Sequence, residues 1–102
     1  MSQHILKTSL DGQPVQVQMG WDSPMKWYYL VVSPVDADGE LNDPIYSNLY
    51  ETDAKSKDLQ YYLGVCANLG IAIPDEMIAG VEDDRKTGAM NRVVEYGEDK
   101  AS

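Results

Sequence analysis

The chain has one histidine, His4, and one cysteine, Cys66. A Cys–His nucleophile pair needs both side chains within hydrogen-bond reach. Cys66 falls on the apolar stripe of a predicted helix, where cysteine behaves as a small hydrophobe. His4 sits near the start of the chain, where ends fray. The pair therefore reads as structural, and one His with one Cys falls short of a zinc set. Asp36-x-Asp38-Gly39-Glu40 invites a calcium reading. With Gly39 at the fixed glycine of an EF-hand loop, however, Pro34 falls at the first ligand position and Ile45 at the bidentate one. A solvated acidic loop fits better. Glu82-Asp83-Asp84 reads as the exposed side of a short helix. Neighbouring surface acids do not supply the split pKa values that acid/base catalysis requires. No phosphate loop, Gly-x-Ser-x-Gly elbow or dinucleotide fingerprint occurs. No cofactor or metal is expected.

The aromatic residues are less easily set aside. Seven tyrosines and two tryptophans stand with no phenylalanine. Each carries a polar handle suited to surfaces that are partly wet and partly buried. Trp21 and Asp22 in a turn, with Tyr46 and Asn48 on a short strand, place rings beside polar groups. That combination suits a recognition surface, including one for a cationic group. The plainer reading completes the core with these rings and leaves their hydroxyls at its rim.

The elements that must position these residues follow from pattern. At 102 residues, 43% hydrophobic and 25% charged, the chain is expected to form one folded domain over 1–97, with a disordered tail at 98–102. Asp11-Gly12 is a type I′ turn between two alternating runs. That loop sets Leu6 opposite Val17 and His4 opposite Met19, with Leu6, Leu10, Val15, Val17 and Met19 on one face. Pro14 cannot donate to a ladder, which puts the second strand at an edge near its start. Asp22-Ser23-Pro24 marks a turn held by side-chain-to-backbone bonds.

Lys26 to Ser33 is the one run apolar on both alternating sets: Trp27, Tyr29 and Val31 one way, Tyr28, Leu30 and Val32 the other. Such a strand belongs inside a sheet with cover on each face. Residues 45–50 read as a short strand with Ile45 and Leu49 on one face. The first helix is predicted from about Ala54 to Leu69, capped by Thr52 or Asp53 and closed by Gly70. Gly64 inside it suggests a close approach to the sheet. The second helix opens at Pro74, carries Asp75 and Glu76 in its first turn and Arg85 and Lys86 in its last, and stops at Gly88. Asn91 to Tyr96 is a last strand.

The order β-β-β-β-α-α-β groups the helices, so the class is α+β: a mostly antiparallel, curled, roll-like sheet with two short helices on one face. The second face of residues 27–32 then needs a roll closure, a dimer interface or a partner.

The motifs Met19-Gly20-Trp21-Asp22, the aromatic strand at 27–32, Pro44-x-Tyr46-Ser47-Asn48-Leu49, and Leu69-Gly70-Ile71-x-Ile73-Pro74 together resemble a family of small uncharacterised bacterial proteins. The resemblance spans most of residues 3–97. It implies a compact α+β, roll-like domain and no assigned activity, substrate or catalytic residue.

The net charge of −9 is uneven. Residues 36–58 hold seven acids and two lysines, and 75–102 hold eight acids and four bases. Such a chain repels phosphate backbones, so direct nucleic-acid binding is not expected. No run reaches the length of a membrane span, no secretory signal is visible and one cysteine makes no internal disulfide, so a cytoplasmic location is expected. Three functions stay open. The leading one is a non-enzymatic interaction or regulatory module that presents Trp21, Asp22, Tyr46 and Asn48 to a protein partner or to its own copy. The second is an acidic inhibitor that imitates nucleic acid in a basic groove. The third is a ligand binder or enzyme with a pocket holding a carboxylate of raised pKa.

Overall fold

The computed structural model describes residues 2–53, 56–88 and 92–97. The tail at 98–102 and the expected helix start at Ala54 lie outside them. Strands β1 (Ser2–Leu10), β2 (Gln13–Asp22) and β3 (Trp27–Pro34) form an antiparallel meander. A short β4 (Tyr46–Ser47) follows, leading into a 3₁₀ turn over Asn48–Tyr50. Helices α1 (Leu59–Leu69) and α2 (Asp75–Thr87) come next, and β5 (Arg92–Gly97) closes the order. The sheet order is β4-β3-β2-β1-β5, with β5 parallel to β1.

The α+β class, the mostly antiparallel sheet and the hairpin register stand as read from the sequence. Asp11 and Gly12 both take positive φ, 54° and 81°, and His4 pairs with Met19. The sheet is open, not closed into a roll. β2 is its middle strand rather than an edge. Pro14 is tolerated because the β2–β3 ladder begins one residue later, at Val15. Beyond it, Val35 donates to the Pro14 carbonyl, and the Gln13 side-chain amide reaches the Val35 carbonyl at 3.1 Å, where proline has no N–H to offer.

One face of the sheet is the core. Leu6, Val15, Val17, Met19, Tyr28, Leu30 and Val32 meet Leu59, Tyr62 and Cys66 of α1 and Met77 and Val81 of α2. Among the described residues, no helix covers the other face. Trp27 and Val31 are half-buried there. Tyr29 is buried by crossing its cross-strand partner Gly20, and its hydroxyl donates to the Ser2 carbonyl at 2.6 Å. A Cβ on Gly20 would lie 2.9 Å from that ring and 2.1 Å from the carbonyl oxygen.

Helix α1 starts later than its apolar stripe suggests. Asp58 is its N-cap, accepting from the Tyr61 N–H. Asp53 instead closes a separate turn with Ser56. The strand expected over 45–50 shortens to two residues because the Ser47 hydroxyl accepts from the Leu49 N–H and turns the chain into the 3₁₀ segment. Ile45 and Leu49 are consequently exposed.

The close helix–sheet approach expected at Gly64 occurs at Gly80. A Cβ on Gly80 would stand 2.8 Å from the His4 ring and 3.0 Å from the Tyr96 hydroxyl, whereas one on Gly64 meets nothing within 4 Å. The two glycines therefore predict opposite responses to alanine. Gly80→Ala should cost about 1–3 kcal/mol through overpacking. Gly64→Ala should gain about 1 kcal/mol from helix propensity. Urea denaturation of both variants checks this, and equal shifts would mean that α2 does not sit as close to β1 as described.

Candidate functional site

Two constellations of polar side chains stand out, at opposite edges of the sheet. The first is buried. Helix α2 turns Met77, Val81 and Asp84 toward the sheet at four- and three-residue spacing, and Asp84 is fully enclosed. His4, equally enclosed, faces it from β1. Its Nε2–H donates to Asp84 Oδ2 at 2.6 Å, since a carboxylate only accepts. On the other side of the ring, Nδ1 lies 2.9 Å from the Tyr96 hydroxyl, which can donate to it. Arg92 Nη1 donates to Asp84 Oδ1 at 2.6 Å. Burial alone would raise the carboxyl pKa. Hydrogen bonds from His4, Ser2 and Arg92 outweigh it and hold Asp84 below its ordinary range.

This corrects two expectations. His4 is clamped inside the sheet rather than fraying, and Asp84 faces inward rather than into solvent. The signal was present: Asp84 continues the Met77–Val81 stripe, and His4 alternates with Leu6 on the inward face. Both ring nitrogens of His4 are engaged by Asp84 and Tyr96, not by Cys66. Burial pushes the Cys66 thiol up to about 11. The cluster resembles a catalytic dyad in composition, and both His4 and Asp84 are fully enclosed.

The second constellation is at the surface, where β4, the 3₁₀ turn and the start of α1 meet. The Tyr46 and Tyr61 hydroxyls both donate to Glu51 Oε2, each at 2.9 Å. These bonds, Tyr46 first and Tyr61 second, hold the Glu51 carboxyl below its usual range. Burial and the hydrogen bond to Glu51 in turn raise the Tyr46 phenol. The Tyr50 ring meets Tyr46 edge-on at 6.3 Å, and Tyr61 meets Tyr62 edge-on at 5.6 Å. Lys57 Nζ lies 4.6 Å from the centre of the Tyr61 ring. Tyr62 is fully buried, and its hydroxyl has no hydrogen-bond partner among the described residues. Burial and the nearby Glu51 charge push it up to about 12. Leu49, Tyr50 and Ile45 stand exposed beside this group, Leu49 at 73%.

The four residues singled out from the sequence divide between distant places. Tyr46 and Asn48 belong to the surface constellation, Asn48 as a buried support in the 3₁₀ turn. Trp21 and Asp22 lie toward the other end of β3, since Trp21 pairs with Tyr28 whereas Tyr46 pairs with Val32. Trp21 is half-buried, edge-on to Tyr28 at 5.0 Å with Arg85 over its ring at 5.8 Å. Asp22 holds the following turn by accepting from the Met25 N–H. Sequence reasoning missed Glu51, Tyr50 and Tyr61. Their convergence depends on the turn after β4, for which the expected continuous strand left no room.

Elsewhere, Asp36 Oδ1 accepts from the Asp38 and Glu40 N–H groups, so this carboxylate braces its own loop. A shallow cavity of about 190 Å³ between β1, β2 and that loop is lined by Lys7, Thr8, Pro14, Val15, Gln16, Val35 and Gly39, with no carboxylate or imidazole.

The buried cluster predicts a pH dependence. Because the folded-state pKa of Asp84 is depressed, its contribution is complete above the unfolded value of about 4. It is lost as pH falls through the lower folded-state value. Asp84→Asn should cost about 3–5 kcal/mol at pH 7, and the gap to the parent should narrow below about pH 4. Urea titrations across pH measure this, and a gap that stays constant down to pH 2 would refute an ionised Asp84. Comparison of the chain with known protein families, curated proteins and solved structures finds no match.

Proposed function

We propose that this chain is a non-catalytic interaction module that docks a basic segment of a partner protein on the Glu51 surface. The observation that carries the reading is the Glu51 carboxylate itself. It is oriented by two tyrosine hydroxyls and makes no salt bridge among the described residues. An oriented, unpaired carboxylate ringed by tyrosines is the arrangement that receives a cation at a protein interface. Exposed Leu49, Tyr50 and Ile45 add apolar contact of the kind found at interface centres. The excess of acids over residues 36–58 favours a basic partner and speeds its arrival.

A short peptide carrying basic residues between leucines tests the reading by calorimetry. Binding should weaken with salt. Glu51→Gln should weaken it about five- to tenfold, the loss of one charge-assisted contact. Unchanged affinity in that variant overturns the reading. Binding that collapses with salt yet ignores substitution of Tyr50 and Tyr61 would instead favour the nucleic-acid-like acidic surface.

A second reading, self-association, rests on the helix-free sheet face. Trp27 and Val31 on β3, Ile5 on β1 and exposed Val93 on β5 share that face by register. Trp27, rather than Trp21, is therefore the residue to change. Light scattering at rising concentration should show a dimer that Trp27→Gln abolishes, and a parent chain that stays monomeric at about 1 mM ends this reading.

A further inference from the structure

This inference rests on the Glu51 surface being the docking site. We infer that the site takes an arginine side chain, and that Lys57 is a resident cation which the arginine displaces.

Lys57 occupies half of what a cation would use there. Its ammonium sits over the Tyr61 ring at 4.6 Å, yet it makes no ion pair with Glu51 within 4 Å. Both tyrosine hydroxyls converge on Oε2. Oε1 takes no hydrogen bond from the described residues. One ring face and one carboxylate oxygen are thus presented together; the lysine sits over the ring and acts on the carboxylate only through its charge, without contact.

A guanidinium can engage both. It is planar, so it stacks on a tyrosine ring, and its N–H groups lie in the same plane and fork onto a carboxylate. It is also more weakly hydrated than an ammonium, so leaving water costs it less. Tyr61 is 38% exposed and Tyr50 61%, so both residues are open to an incoming side chain. An ammonium on a partner lysine would only repeat the contact that Lys57 already makes.

The test uses the full chain and two peptides that differ only in arginine against lysine. Calorimetry should give about fivefold tighter binding of the arginine peptide. Lys57→Ala should tighten the arginine peptide a further two- to fivefold. Removing any nearby positive charge would help a cation, so the decisive measurement is a cycle with Tyr61→Leu. If Lys57 competes for the ring, its removal gains nothing in the Tyr61→Leu background. Equal affinity for the two peptides, or a Lys57→Ala gain that survives Tyr61→Leu, overturns the inference while leaving basic-segment docking intact. Binding of neither peptide to any variant overturns the docking reading itself, and the inference with it.

Discussion

The contact on which the rest of the fold leans is the one between His4 and Asp84. It joins the first strand to the last helix, and through Tyr96 and Arg92 it joins both to β5. A parallel neighbour for β1 cannot be reached by a hairpin; the chain must travel through both helices before β5 arrives. Short-range turn chemistry therefore cannot fix β5 in register. The buried cluster can, because an ionised carboxylate without its donors would carry a desolvation cost of several kcal/mol. Only an arrangement with β1, α2 and β5 all in place satisfies it. Gly80 is the steric counterpart, since any side chain there would hold the helix away from the imidazole.

What the sequence made legible was local. The Asp11-Gly12 turn with alternation on either side dictated the β1–β2 register, and the charge bias and glycine stop of α2 marked its ends. What it concealed was pairing across long separations. His4 and Asp84 lie eighty positions apart. Each is of a type that reads as exposed when it has no visible partner. Periodicity placed both on inward faces, but residue type argued against it, and in the fold periodicity prevailed. The error at residues 45–50 ran the other way. Ile45 and Leu49 look buried by type, yet a single serine hydroxyl redirects the backbone and leaves both in solvent. The two helix glycines show a further limit. Nothing local distinguishes Gly64 from Gly80, because the difference lies in what stands opposite.

Arg92 is committed to Asp84, with Asp83 at 3.8 Å, and Arg85 lies over Trp21. Two of the four bases in the last quarter of the chain thus serve the packing of α2 and β5. They are unavailable to the acids of residues 36–58, which keep their excess. An acidic composition could mean no more than solubility. Glu51 differs from a dispersed surface acid because two hydroxyls fix its orientation and its neighbours are rings rather than solvent. Orientation reduces the side-chain entropy that a long exposed carboxylate would lose on meeting a cation.

The two constellations are separated by the sheet itself. The His4 cluster lies between β1 and β5, and the Glu51 group lies beyond β4 at the other edge. With strands about 4.8 Å apart, three intervals from β1 to β4 put them some 14 Å from one another. Side chains at that distance with no shared partner contribute to stability almost independently. Helix assignment reinforces the division, since α2 lies against β1 and β2 and α1 lies against β3. The exposed tyrosines and Glu51 can therefore be altered without unlocking the strand order. A fold locked at one edge leaves the other free to carry groups chosen for recognition rather than for packing.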